Sequence, residues 1–415
     1  MTERARPQGF DFGALRRFPD VEAPNLFASD ASDRLILDEA AAALAGLDDG
    51  GPAGSDARRV GPDDGGGLAV VGDRYGALTL AAAALHGLRG IRVHQDAMAS
   101  ELALRINARR LLPSDRAHEL GPDSSRQHGP ETAVFRQLPL GAELLSGARV
   151  VLWQLPRSLD ELAEVAEQIA RFADAGVRVF AGGRLKHMST SMNGVLEQFF
   201  GCVQAGLARQ KSRVLTAAQP IRPTGPPRFP VREFNAELGL WLCAHGATFS
   251  STSLDIGTRY LLDFLDQMKP DAGTAVDLGC GSGVIAAALA TARPGLLVTA
   301  TDQSAAAVAS AAATAAANGL SGRVTAVRDD AMASFPPASA GLILLNPPFH
   351  IGASVHAGAA LKLFDAAARV LAPGGELWTV FNRHLDYRAQ LERRVGPTTV
   401  QGHNPKFTVT VSVRR

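Results

Sequence analysis

The chain has 415 residues, room for two or three domains, and is 46% hydrophobic, so those domains can bury substantial cores. Its formal net charge is +1, so the balance as a whole demands neither a nucleic acid nor a membrane partner. Cys202, Cys243 and Cys280 show no metal-ligand or disulfide spacing. No stretch reaches about 18 consecutive apolar residues, and Met1 to Asp20 is charged where a secretory signal is apolar, so the expectation is a cytoplasmic protein without membrane or metal.

In chain order, residues before about Phe27 carry no regular pattern, and residues 35–47 read as a helix. Residues 48–67 are rich in Gly, Asp and Pro and read as a surface insert, as do the polar residues 113–130. Short apolar runs at 68–71, 91–94, 150–153 and 177–180 read as strands, with helices at 77–88 and 159–175. Five prolines between Pro220 and Pro230 read as an interdomain linker. The expected division is therefore residues 1–219, a linker at 220–234, and residues 235–415.

After the linker the alternation sharpens. A loop and helix occupy 249–266. Strands follow at 275–278, 297–301, 324–327, 341–345, 376–381 and 407–413, with helices at 284–292, 305–317 and 361–371 and a turn at Pro373-Gly374-Gly375. The alanine-rich run 305–317 reads as a helix packed closely on a sheet rather than as low complexity. Strands alternating with helices in both halves predict an α/β fold of doubly wound, mostly parallel sheets.

The halves resemble each other. Laying Val70 on Val276 gives an offset of 206 that also lays Asp96 on Asp302. Gln154-Leu155-Pro156 then takes the place of Asn346-Pro347-Pro348, and Gly183-Arg184-Leu185 that of Arg383-His384-Leu385. The first half lacks the glycine loop and the Asn-Pro-Pro of the second, and reads as a copy that kept the fold and lost the chemistry.

Asp277-Leu278-Gly279-Cys280-Gly281-Ser282-Gly283 stands between a strand and a helix. Glycines let the backbone approach a ligand, and the helix N-terminus offers free N–H groups. Asp302 ends the next strand 19 positions after Gly283, where a carboxylate can take both hydroxyls of a ribose. A dinucleotide fingerprint needs another glycine at the position of Val284, so the loop suits S-adenosylmethionine better than NAD. Asp330 ends the third strand, in place to recognise an adenine amino group.

Asn346-Pro347-Pro348-Phe349-His350 follows the apolar run 341–345. Prolines lack N–H groups, and Pro347 drives Asn346 out of the helical region, so the Asn side chain is held rigidly at the carboxyl edge of a sheet. An exocyclic amine is a poor nucleophile because its lone pair is delocalised. An amide oxygen and a fixed carbonyl that accept its N–H bonds orient it and stabilise developing charge. Phe349 can stack on a planar base.

These residues together resemble the class I S-adenosylmethionine-dependent methyltransferases, and more narrowly the bacterial two-domain ribosomal-RNA guanine-N2 methyltransferases. Asn346-Pro347-Pro348-Phe349-His350, Phe249-Ser250, Leu254-Asp255-Ile256-Gly257, Asn382 to Tyr387, and Lys406-Phe407 carry the resemblance, which favours the large-subunit members. It implies two tandem Rossmann-like domains, the N-terminal one degenerate and RNA-binding. It implies S-adenosylmethionine held by Asp255, Asp277, Gly279, Gly281, Gly283, Asp302 and Asp330, and catalysis by Asn346, Pro347, Pro348 and Phe349. It further implies substrate contacts from His350, Arg383, His384, Lys406 and Phe407, and a monomer acting on ribosomal RNA or a ribosomal subunit precursor.

Charge segregation agrees with RNA. Eight Lys and Arg and one acid lie between Arg184 and Arg232, and seven Lys and Arg and two acids between Arg383 and Arg415. Two other readings remain open on the sequence: a non-catalytic RNA-binding assembly factor, and a methyltransferase for adenine N6 or a protein glutamine. Phe349 and His350 tilt toward guanine, and the intact Asp277, Asp302 and Asn346 argue for catalysis.

Overall fold

A computed structural model describes residues 9–48, 66–112, 134–347 and 353–415. The polar inserts expected at 48–67 and 113–130 lie almost wholly outside the described residues, as do Pro348, Phe349 and His350. The chain divides into two compact units, Met1–Pro227 and Arg228–Arg415.

The first unit runs α1 (Ala31–Asp48), β1 (Leu68–Val71), α2 (Ala77–His86), β2 (Ile91–His94), α3 (Met98–Leu111), β3 (Phe135–Gln137), α4 (Ala142–Leu145), β4 (Val150–Gln154), α5 (Leu159–Phe172), β5 (Arg178–Arg184), α6 (Ser191–Leu196), β6 (Phe200–Ala205) and β7 (Ser212–Pro220). Its sheet has the order β3-β2-β1-β4-β5-β7-β6. The first five of these strands are parallel, while β7 pairs antiparallel with both β5 and β6.

The second unit opens with a separate antiparallel hairpin, β8 (Val231–Asn235) and β9 (Leu240–Ala244). It continues through α7 (Ile256–Leu262), β10 (Thr274–Leu278), α8 (Val284–Ala292), β11 (Leu297–Asp302), α9 (Ala305–Ala317), β12 (Val324–Arg328), β13 (Ala340–Leu345), α10 (Ala353–Val370), β14 (Leu371–Asn382), α11 (Arg388–Arg394), β15 (Thr398–His403) and β16 (Phe407–Val413). Its sheet order, β12-β11-β10-β13-β14-β16-β15, repeats that of the first unit.

Both sheets are covered on both faces, and each unit carries one buried apolar cluster per face. This is why the parallel strands are continuously apolar rather than alternating. Leu342, Ile343, Leu344 and Leu345 of β13 are all fully buried. Each such side chain contributes about 1.5–3 kcal/mol relative to exposure, which anchors the strand that ends at Asn346.

The internal repeat holds, but its register is 207 rather than 206. Gly72 and Gly279 adopt φ of +73° and +74°. Their N–H groups bond His94 O and Thr301 O at 3.0 and 2.8 Å. Gly76 and Gly283, at φ +94° and +75°, cap α2 and α8. A Cβ at Gly76 would stand 2.6 Å from Leu104, and one at Gly283 would stand 2.7 Å from Ala311, so each glycine admits the neighbouring helix. The counterpart of Asp302 is therefore Gln95, not Asp96. Matching the two carboxylates gives the wrong frame; the glycine turns set the right one. Gln154 does stand opposite Asn346, because Val71 pairs Trp153 as Leu278 pairs Leu345. Further along, Ala181 takes the place of Thr379, so Arg184 corresponds to Asn382 and Leu185-Lys186 to Arg383-His384.

Other departures are local. The first helix begins at Ala31, four residues before its apolar pattern, and α10 starts at Ala353. Residues 231–234, expected in the linker, form part of β8. Pro373-Gly374-Gly375 lies within β14, beside a register shift, instead of forming a free turn. Among the described residues the hairpin β8–β9 has no sheet partner, and α9 serves instead. Asn318 just beyond its end donates to Trp241 O at 2.7 Å and accepts from Trp241 N at 2.9 Å. Thr314 does the same for both backbone groups of Cys243, and Ser310 accepts from His245 N.

Candidate active site

The site lies at the carboxyl ends of β10, β11, β12 and β13, and its glycine loop follows β10. Would-be Cβ atoms at Gly279 and Gly281 meet nothing within 4 Å, and both residues have positive φ. The loop thus presents bare backbone to open space, which suits the close approach of a ligand, while Gly283 is used for packing.

Asp277 is fully buried; its Oδ2 accepts from Ala286 N at 3.0 Å, and Oδ1 has no partner among the described residues. Burial pushes this carboxyl up to about 7; the bond from Ala286 pulls it down and the charge on Asp302 adds to the rise. Burial likewise pushes the Cys280 thiol well up. Asp302 accepts from Gly281 N at 3.2 Å and Ser304 N at 3.0 Å, tying the glycine loop to the start of α9. Asp330 receives both its short contacts, 2.6 and 2.5 Å, from Lys362 of α10.

The Asn346 amide is the most constrained group. Its Nδ2 donates to Asp255 Oδ2 at 3.0 Å and to Thr258 Oγ1 at 2.8 Å. A carboxylate can only accept, so the amide cannot be turned the other way. Asp255 is itself fixed as the N-cap of α7, accepting from Thr258 N at 3.0 Å. Both amide protons are spent, and Asn346 Oδ1 is buried without a partner among the described residues. It is an oriented acceptor awaiting a donor, and an amine N–H is such a donor.

The first unit shows the same machinery closed on itself. Gln154 Nε2 donates to Asp33, and Ser32 Oγ reaches Gln154 Oε1 at 3.4 Å. Ser32 Oγ also lies 2.5 Å from Asp30 Oδ1, and its single proton goes to that carboxylate. Tyr75 and Arg74 occupy the loop positions of Ser282 and Gly281. Tyr75 is 6% exposed, donates to Asp20 at 2.6 Å, and lies under the Arg17 guanidinium.

Of the remaining expected residues, Pro347 is buried. Arg383, His384 and Lys406 are exposed together, with Arg383 N bonded to Lys406 O at 2.8 Å. Phe407 is not at the surface: it is 8% exposed in the core, beside Gly257. Asp255, expected on the cofactor, stands on Asn346. Sequence reasoning missed Thr258 and Lys362. Asp255 carried a signal as an N-cap residue; Thr258 and Lys362 carried none.

The sheet order, the bare glycine loop and the strand-end carboxylate define a class I methyltransferase fold. A family model described as the Methyltransferase small domain matches residues 239–411, and one described as the RLMG N-terminal domain matches residues 7–220. Ribosomal RNA large subunit methyltransferase G of Streptomyces griseus subsp. griseus is 33% identical over 409 residues, covering 97% of each chain. The protein of the same name from Stutzerimonas stutzeri is 35% identical over 347 residues, 83% of this chain and 86% of that one. The chain belongs to the ribosomal RNA large subunit methyltransferase G family. Among solved structures, the T. thermophilus 16S rRNA N2 G1207 methyltransferase (RsmC), in complex with AdoMet and guanosine, superposes with a TM-score of 0.65 at 18% identity, covering 95% of this chain and 97% of that one. It shares the two-unit fold.

Proposed function

We propose that this chain methylates the exocyclic N2 amine of a guanine in large-subunit ribosomal RNA, using S-adenosylmethionine. The observation that carries the reading is the Asn346 amide: rigid, its nitrogen consumed by Asp255 and Thr258, its oxygen buried and open. Gly279 and Gly281 fit the cofactor, because a Cβ at either would enter the open space where a ligand approaches. Asp302 would hold the ribose and Asp330 the adenine, with Asp277 beneath the loop. Bound there, S-adenosylmethionine supplies an electrophilic methyl group on a sulfonium.

Asn346 Oδ1 would accept one amine N–H and the carbonyl beside Pro347 the other, which would orient the amine lone pair for methylation and stabilise positive charge on nitrogen. Once methylated, the amine would lose its surplus proton to water, which would remove the need for a side-chain base. Guanine N2 lies in the minor groove of paired RNA, so the base must be single-stranded or extruded. Phe349 would stack on it, Pro348 would stiffen the loop, and His350, Arg383, His384 and Lys406 would contact flanking RNA. Phe407 backs that surface from the core. The first unit would bind RNA without taking cofactor, and the protein would act as a cytoplasmic monomer on rRNA or a subunit precursor.

The test is methyl transfer from labelled S-adenosylmethionine to rRNA from a strain lacking the protein, with mass mapping of the product. N2-methylguanine in the large-subunit RNA is expected. Label in adenine, in protein or in nothing would overturn the reading.

A further inference from the structure

Asp255 and Thr258 both hold the Asn346 amide nitrogen, at 3.0 and 2.8 Å, and Ile256 and Gly257 lie between them in the chain. Gly257 has no side chain to offer, and a Cβ there would stand 3.0 Å from Asp255 Oδ2 and 3.1 Å from the Phe407 ring. Ile256 therefore carries the one side chain between the two anchors. That side chain is not spent on the core. Gly257, Thr258 and Leu261 are the buried residues of α7, whereas Ile256 is 55% exposed.

A lone exposed isoleucine is ordinary and needs no function. Two observations separate this one. First, its place is fixed. It opens α7 directly after the N-cap Asp255, whose carboxylate is held by both Thr258 N and Asn346. In a helix a β-branched side chain has one dominant rotamer. Second, the loop leading into it is held under strain. Ser250 and Ser251 have φ of +59° and +50°, left-handed backbone that is costly for serine. The loop is stapled on both sides of that pair. Thr248 Oγ1 lies 2.8 Å from Ser310 Oγ of α9, Thr252 Oγ1 donates to Glu233 at 2.7 Å, and Ser253 N donates to Ser250 O at 2.9 Å. Such strain persists only where the surroundings over-determine it, and it clusters at ligand clamps. The same loop carries Phe249, a second large apolar side chain, 59% exposed.

The chemistry asks for an apolar side chain here. Two acceptors at the amine fix one edge of a planar base. They leave the ring free to rock about that edge, which would swing the lone pair out of line. Contact on both faces of the ring removes that freedom. Phe349 is proposed for one face. A branched aliphatic side chain suits the other, because it is stiff and keeps water from the hydrogen bonds of the amine.

We propose that Ile256 is the second wall of the base pocket: its side chain packs on the face of the target guanine opposite Phe349, while Asn346 holds the amine. The inference rests on the guanine reading and adds a residue to it.

The experiment has a kinetic and a spectroscopic arm, both on the full chain. Ile256→Ala should lower kcat/KM for large-subunit rRNA about 10- to 100-fold, the scale of missing carbons in an apolar pocket. Most of the loss should fall on KM, with the thermal midpoint and the calorimetric affinity for S-adenosylmethionine unchanged. Ile256→Val keeps the branch at Cβ and should recover most of the loss. Leu297→Ala is the control: the residue is 54% exposed, but it starts β11, at the opposite end of that strand from Asp302. It should change none of these quantities. In the second arm the isoleucine methyl groups are isotope-labelled, and the Ile256 resonance is identified by its loss in Ile256→Val. Guanosine is then added to protein loaded with S-adenosylhomocysteine. Stacking against the purine should move that resonance upfield.

Wild-type kcat/KM in Ile256→Ala would overturn the wall. So would a loss of cofactor affinity as large as the loss in kcat/KM, which would place Ile256 on the cofactor instead. A resonance moved by neither guanosine nor adenosine would overturn it as well. A resonance moved by adenosine and not by guanosine would keep the wall and overturn the guanine reading.

Discussion

Asn346 and Asp255 are joined by a 3.0 Å hydrogen bond whose direction is fixed, amide nitrogen to carboxylate oxygen. That bond decides which end of the amide is left open, the end proposed to meet the substrate. Removing the partner should therefore act like removing the amide. Thr258→Val keeps the packing and deletes the 2.8 Å acceptor, and should lower kcat about tenfold. Asn346→Ala should lower it by about a hundredfold or more, as the loss of one oriented oxyanion-hole donor does elsewhere. In both, calorimetric affinity for S-adenosylmethionine should stay within about twofold, because the lost interaction belongs to the transition state. Wild-type turnover by Asn346→Ala would remove the residue from the mechanism.

Asp302 plays two parts, bracing Gly281 N and Ser304 N and facing the proposed ribose. Asp302→Ala should weaken cofactor binding about 10- to 100-fold, the scale of a charged hydrogen-bond pair at about 1.5–3 kcal/mol. Asp302→Asn retains one acceptor and should recover part of the loss. Equal affinity for wild type and alanine variant would sink the ribose assignment.

One cofactor should bind per chain. Tyr75 is locked by Asp20, Arg17 lies over its ring, and Gln95 stands at the position of Asp302, its side chain turned onto Asp73 O. Calorimetry on the full chain should give a stoichiometry near one; near two would show that the first unit still takes cofactor.

Stability should depend on pH through Asp33. Burial pushes its carboxyl up to about 7, the neighbours Asp73 and Asp30 adding to the rise, and the bonds from Asp30 N and Gln154 only partly offset this. The raised value means that the folded state holds the proton longer than the unfolded one. The associated stability is complete below the ordinary carboxylate range and is lost as pH rises to about 7. Asp33→Asn should make the thermal midpoint less sensitive between about pH 4 and pH 7, where each tenfold difference in proton affinity between the two states corresponds to about 1.4 kcal/mol. An unaltered profile would remove Asp33 as the titrating group.

The parallel strands of both units were legible because burial on two faces writes them as unbroken apolar runs. The second unit was clearer than the first, since Asn346-Pro347, Gly279, Gly281 and Asp302 are each chemically constrained. The frame of the repeat shifts by one residue when carboxylates are matched, because it is the glycine turns that the fold requires. The strands β6 and β7 could not be read from charge: the basic stretch following β5 folds as their hairpin, whose exposed face carries its polar residues. Lys362 was invisible because its partner Asp330 lies 32 positions away, a separation that no local pattern records.

The helix α9 is alanine at every position except Val308, Ser310 and Thr314. Those two hydroxyls, with Asn318, are the groups that bind Trp241, Cys243 and His245, alternate residues along β9 and just past its end. Polyalanine by itself would let the hairpin slide, since one turn of such a surface is like the next. Three polar residues spaced four apart turn the helix into a ruler for a strand. They also cover an edge that would otherwise be free to recruit a strand from another chain. The stretch with the least information by composition thus carries the address of the hairpin, and a Ser310→Ala, Thr314→Ala chain would keep its helix and lose that address.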